Sequence, residues 1–258
     1  MGKFDGLLIL SDLDGTFSGP TEDIVTENAK AVKYFTANGG KFGFATGRSP
    51  HFMKNKDYFS IINAPCVFLN GGVVYDVVDD EVLYERYVDF SVGEFLETIA
   101  DDQKEIVKIC AHKDCYEEDS VFTDFNGLDR ELLCSKPIKV ICVFESVEKA
   151  LAFKAKVLSM PFFQSTYISR SWSFGVEFNA FNGTKGNAIR FIKDYLGNIH
   201  ASIGVGDFEN DLSLILNADV GVAVGNAVEE LKQTADLVVN RCSEYAIKDL
   251  IERLDTKF

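Results

Sequence analysis

The chain opens with a short apolar run, residues 6–10, that breaks into the polar stretch SDLDGT, and the same device recurs at residues 41–45 and 65–69. Apolar runs of this length, each followed by polar or glycine-rich sequence, predict parallel strands buried on both faces. Between the first two, Val25, Ala29, Val32 and Phe35 recur at steps of four, three and three, with Gly39 and Gly40 beyond them. That spacing predicts an amphipathic helix stopped by glycine. The alternation resumes after residue 183, with a helix over 185–196, a strand over 201–205, a helix near 211–216 and a strand over 220–224. A helix from Asn226, a strand over 236–239 and a last helix striped by Ala246, Ile247, Leu250, Ile251 and Leu254 complete it.

The middle reads differently. VVYDVVDDEVLYERYVDF predicts a hairpin, PIKVICVFES a strand, SVEKALAFKAKVL a helix and TYISRSWSFGVEFNAF a second hairpin. The expectation is therefore an α/β chain: a doubly wound parallel sheet built from residues 1–84 and 181–258, interrupted by an α+β module at 85–180. The acidic clusters at 79–81 and 117–119 read as solvated loops.

Composition narrows the partners. The 258 residues are 47% hydrophobic and 26% charged, as in a soluble globular protein, and the formal net charge of -14 would repel nucleic acid and anionic membranes. An anionic substrate would need positive charge gathered locally. The opening MGKFDGLLIL has too short an apolar run for a signal peptide or a spanning helix, so a cytoplasmic chain is expected. The six cysteines form no CxxC pair and the three histidines, His51, His112 and His200, lie far apart, so both read as ordinary reduced or packed side chains.

In a doubly wound sheet, ligands sit beyond the carboxyl ends of the strands. Those ends carry Asp12, Asp14, Gly15 and Thr16; Thr46, Gly47 and Arg48; Asn70 and Gly71; and Asp207, Asn210 and Asp211. Two aspartates in one strand-end turn are often only turn chemistry, because their side chains bond nearby amides. The other strand ends change that reading. Hard oxygen donors without histidine or thiolate suit Mg²⁺, and Asp12 and Asp207 could supply them. A carboxylate can attack phosphorus when charge repulsion is offset, and Lys185 could supply the cation beside the phosphate.

With these residues the chain resembles the haloacid dehalogenase superfamily of phosphatases. Asp12-Leu13-Asp14-Gly15-Thr16 resembles its first motif, Ala45-Thr46-Gly47-Arg48 its second, Lys185-Gly186 its third, and Gly206-Asp207 with Asn210-Asp211 its fourth, in the family's order. The inserted module resembles a C2-type cap of the C2B form found in Cof-like sugar-phosphate phosphatases. The resemblance implies Asp12 as nucleophile and Asp14 as general acid, then base. It implies Mg²⁺ ligation by Asp12, the Asp14 backbone carbonyl and Asp207. It also implies phosphate contacts from the Leu13 amide, Thr46, Gly47, Lys185 and Asn210, with Asp211 behind them and Asn70 near the entrance.

Some positions stay open. Arg48 reads either as a substrate contact or as a surface ion pair. Trp172 reads as core packing, with a sugar contact as the alternative for it and Arg170. Phe208 is bulkier than the fourth motif leads one to expect, and SEYAIKDL lacks the Asp-Gly-Val found before the last helix in Cof-like relatives. The leading expectation is a Mg²⁺-dependent phosphatase acting on a small phosphorylated metabolite, a sugar phosphate, with oligomeric state unspecified. The alternatives are a phosphomutase resembling phosphomannomutases and a non-catalytic phosphoaspartate switch, against which the chain's length counts.

Overall fold

The computed structural model describes residues 2–53, 57–113, 120–122, 128 and 130–256. The acidic cluster at 117–119 and Cys115 lie outside them. The first stretch forms β1 (Leu7–Ser11), α1 (Glu22–Ala37), β2 (Lys41–Phe44), α2 (Pro50–Met53), β3 (Cys66–Phe68), β4 (Val73–Asp76) and β5 (Glu81–Glu85). The middle forms α3 (Val92–Thr98), β6 (Ile106–His112), β7 (Ser120–Phe122), α4 (Arg130–Cys134), β8 (Lys139–Phe144), α5 (Val147–Leu158), β9 (Thr166–Ser169) and β10 (Gly175–Ala180). The last stretch forms α6 (Lys185–Leu196), β11 (Ala201–Gly206), α7 (Leu212–Asn217), β12 (Val220–Ala223), α8 (Glu229–Thr234), β13 (Leu237–Val238) and α9 (Ala246–Asp255).

The two ends of the chain share one parallel sheet in the order β13-β12-β11-β1-β2. All five residues of β1 are buried. Because side chains alternate along a strand, Leu7 and Ile9 join Phe35 of α1 and Leu250 of α9 on one face, while Leu8 and Leu10 join Ile189 and Ile192 of α6 on the other. Helices therefore cover both faces, as a parallel sheet requires. From β1 the chain winds outward to β2, whereas β11 pairs on the opposite side of β1. That reversal sets the carboxyl ends of β1 and β11 side by side, with Ser11 opposite Val205 and the Asp12 amide donating to the Val205 carbonyl at 2.8 Å.

The third apolar run departs from expectation in part. It runs parallel beyond the end of β2, as expected, at an Ala45–Val67 bridge where the Thr46 amide donates to the Val67 carbonyl at 2.8 Å, but its main pairing is antiparallel with β4 in a separate sheet, β3-β4-β5. Leu69, Asn70 and Gly71 all have positive φ directly after β3 and reverse the chain there. The helix expected from Asn226 starts at Glu229. The Asn226 side chain instead ties loops together, donating to the Gly15 carbonyl at 2.9 Å and accepting from the Cys242 amide at 2.7 Å.

The middle stretch forms an antiparallel sheet, β7-β6-β8-β10-β9. One face, with Ile109, Ala111, Val140, Cys142, Val176 and Phe178, packs on Phe95 of α3 and Phe153 and Val157 of α5. The other face looks across a cleft at the carboxyl end of the parallel sheet. Among the described residues no helix is long and apolar enough to cross a membrane.

Candidate active site

The turn after β1 carries Asp12 and Asp14. It stays tight because Gly15 sits at φ +83°, and a Cβ there would lie 2.5 Å from Asp207 Oδ2. Only glycine lets this turn meet the β11 turn so closely. Thr16 Oγ1 donates to Asp207 Oδ1 at 3.3 Å. Lys185 opens α6, whose first turn is capped by Thr184, and its side chain is fully buried. Its Nζ bonds Asp12 Oδ1 and Asp211 Oδ1, each at 2.6 Å. The other Asp211 oxygen accepts from the Asp207 amide at 2.9 Å and the Phe208 amide at 3.3 Å.

Two carboxylates thus pair with one ammonium, and a third, Asp207, lies close to them. Burial pushes the Asp12 carboxyl well above the ordinary range against the pull of Lys185, and the charges of Asp211 and Asp207 push the same way. Burial, then the Asp211 charge, pushes Asp207 up to about 7. Burial works against the charge on Lys185, but Asp12 and Asp211 outweigh it and hold the amine protonated. Carboxyl oxygens of Asp12, Asp207 and Asp211 lie within 4.8 Å of one another. Both Asp211 oxygens are already taken, which leaves Asp12 and Asp207 to face a cation. An excess of buried negative charge on hard oxygen donors fits a divalent ion such as Mg²⁺.

The second strand end supplies Thr46, buried, with Oγ1 accepting from the Arg48 amide at 3.1 Å. Arg48 itself grips Asp14, Nε to Oδ2 at 2.9 Å and a second guanidinium nitrogen to Oδ1 at 3.2 Å, with its charge 4.3 Å from the centroid of the Phe52 ring. Within the described residues the Leu13 amide makes no hydrogen bond. Asn70 and Asn210 are buried and joined, Asn210 Nδ2 donating to Asn70 Oδ1 at 3.1 Å.

Over this floor lies a cleft of about 500 Å³, roofed by Lys108, Cys110 and His112 of β6 and by Lys139, Ile141 and Val143 of β8. Glu177, Ser171 and Trp172 close one side. Asp12, Asp14, Gly47, Arg48, Asp207 and Asn210 all line the same space. Trp172 corrects the expectation of core packing. It is 37% exposed on the cleft rim, because the β9–β10 connection carries it off the sheet and lays its ring over Gly175. Phe208 meets the inserted module, its ring centroid 5.6 Å from the Arg170 guanidinium. Sequence reasoning passed over Lys139 and Glu177 and read His112 as an ordinary packed side chain, whereas all three line the cleft. A charge opening the otherwise apolar strand KVICVF and another inside the mostly apolar GVEFNA were the available signals for Lys139 and Glu177.

A parallel sheet with paired aspartates at its switch point, a buried lysine and an overhanging module is an arrangement suited to phosphoryl transfer. The family model for haloacid dehalogenase-like hydrolases matches residues 9–251, and the chain belongs to that family. A Haemophilus influenzae protein described provisionally as a phosphatase is 25% identical over 260 residues, covering 95% of this chain and 96% of its own. A haloacid dehalogenase-like hydrolase from Bacteroides thetaiotaomicron superposes with a TM-score of 0.74 at 22% identity, covering 97% of this chain and 99% of its own. A HAD subclass IIB sugar phosphatase does so at 0.75 and 21%, covering 96% and 98%.

Proposed function

We propose that the chain is a Mg²⁺-dependent phosphatase of a small phosphorylated metabolite, of the sugar-phosphate class, with residues 1–84 and 181–258 carrying the chemistry and 85–180 capping it. The observation that carries this reading is the Asp12 carboxylate, held at one oxygen by buried Lys185 and open to the cleft beside Asp14 and Asp207. Its free oxygen attacks phosphorus in line. A bond from Asp12 to phosphorus forms as the bond from phosphorus to the leaving oxygen breaks, and Asp14 gives that oxygen its proton. Water then attacks the aspartyl phosphate, Asp14 takes the water's proton, and inorganic phosphate leaves with Asp12 restored.

The Leu13 amide, Thr46, Gly47, Lys185 and Asn210 surround the position a phosphate would take, and Asp211 keeps Lys185 in place. Arg48 must release Asp14 for the proton transfer, which frees its guanidinium for substrate. Asp12, the Asp14 carbonyl and Asp207 would hold Mg²⁺, which when bound offsets the charge of carboxylate and phosphate together. The inserted module encloses the leaving group and excludes water.

Purified protein is expected to release phosphate from p-nitrophenyl phosphate only with Mg²⁺. Asp12→Asn is expected to lower kcat by at least about 10³-fold, as removing a covalent nucleophile does. Unchanged turnover in Asp12→Asn would refute the mechanism. One phosphate released per substrate consumed separates hydrolysis from mutase transfer.

A further inference from the structure

We infer that Glu177, a carboxylate of the inserted sheet, is a positioning residue for the phosphate site, acting through Asn70 on Asn210. The inference rests on the reading of Asn210 as a phosphate ligand. Glu177 lies on β10 and is 1% exposed, its Oε1 paired with Lys139 Nζ at 2.5 Å. Its Oε2 accepts from Asn70 Nδ2 at 2.7 Å, and Asn70 Oδ1 accepts in turn from Asn210 Nδ2 at 3.1 Å. All three side chains are buried.

The direction of this relay follows from donor and acceptor chemistry. An ionised carboxylate only accepts, so Glu177 draws the Asn70 NH₂ toward itself. The Asn70 carbonyl then faces Asn210, and the Asn210 NH₂ must turn toward Asn70, leaving its second N–H for the cleft. The Asn70 backbone is fixed as well, at φ +61° in the turn after β3.

The same module grips neighbouring loops of the core. Lys139 Nζ donates to the Gly47 carbonyl at 3.1 Å, the Arg170 carbonyl accepts from the Asn210 amide at 3.1 Å, and Lys154 and Arg170 both pair with Glu209. A buried ion pair contributes little to stability compared with apolar packing of the same volume, so stability does not explain Lys139 and Glu177. Orientation of the phosphate loops does. Seating of the module and binding of phosphate are then coupled, each favouring the other.

The test uses the Mg²⁺-loaded full chain with inorganic phosphate as binding probe and p-nitrophenyl phosphate as substrate. Glu177→Gln makes the relay's direction ambiguous, and Asn70→Asp sets a second carboxylate against Glu177. Each is expected to lower phosphate affinity and kcat/KM by about 10- to 100-fold, measured well below the variant's own melting temperature because Glu177→Gln leaves Lys139 buried without its counter-charge and Asn70→Asp buries a second carboxylate. In an Asn210→Ala background each is expected to cost less than about twofold, because coupled residues are non-additive. Equal losses in both backgrounds, or none in either, overturn the relay. If Asn210→Ala leaves phosphate binding unchanged, the phosphate-ligand reading falls and this inference with it. If Asn210→Ala weakens binding while Glu177→Gln and Asn70→Asp do not, the relay alone falls.

Discussion

At the scale of single residues, the site is held against its own electrostatics. Asp12 and Asp211 pair with Lys185, Asp207 lies beside them, and burial disfavours the charge on Asp12 and Asp207. Asp207 binds a proton in the folded chain up to about pH 7, whereas its ordinary value is 3.8. Between those values the folded state holds a proton that the unfolded state has lost, so metal-free protein loses stability as pH rises through the window. The expected outcome is a melting temperature in EDTA that falls from about pH 4 to 7 in the wild type and falls less in Asp207→Asn. Parallel slopes would contradict it. Mg²⁺ affinity should rise with pH over the upper part of this window, by up to about tenfold per unit for the Asp207 proton displaced. Much at this scale was legible beforehand. Asp12, Asp14 and Asp207 were readable because strand ends in a parallel sheet share one crevice, whatever their separation in sequence, and Lys185 because a cation opening the helix after the middle stretch could offset their charge. The Arg48–Asp14 pair was not, since nothing in the spacing of positions 14 and 48 says that the two side chains meet.

At the scale of elements, close approach of backbone sets the geometry. Gly71 has φ +109°, and a Cβ there would lie 2.2 Å from the Thr184 carbonyl carbon and 2.8 Å from the Lys185 amide. The turn after β3 thus braces the start of α6. Gly197, at the other end of α6, has φ +69° with nothing within 4 Å of a Cβ. Both Gly→Ala changes carry the left-handed backbone cost of about 1–2 kcal/mol. Gly71→Ala alone should also move Lys185 and cut kcat/KM by about 10²-fold. Comparable activity in the two variants would show that the brace is irrelevant to the site. The apolar run that becomes β3 could not announce its pairing, because burial on both faces says nothing of strand direction. Helix α3 carried a readable signal: Ser91 and Glu94 form a capping box, the Ser91 amide donating to Glu94 Oε2 at 2.7 Å. β6 was obscured because Cys110 and His112 occupy its cleft face and blur the alternation.

At the scale of the whole molecule, the chemistry and its enclosure come from different parts of the sequence. The first and last stretches interleave in one sheet and meet at Asp12 and Asp207. The middle stretch folds one sheet face onto its own helices and turns the other toward those acids. The cleft roof joins residues as far apart as Lys108 and Glu177, which meet only through strand pairing. For that reason the cleft roof was far less legible than the aspartate-lined floor. The central claim is that a phosphoryl group passes through Asp12. Acid quenching during turnover, followed by peptide mass mapping, tests it most directly. The account predicts a phosphoryl group on Asp12 that is absent from Asp12→Asn and accumulates when Asp14→Asn slows the attack of water. Continued turnover with no phosphoenzyme, or with the phosphoryl group on another residue, would contradict it.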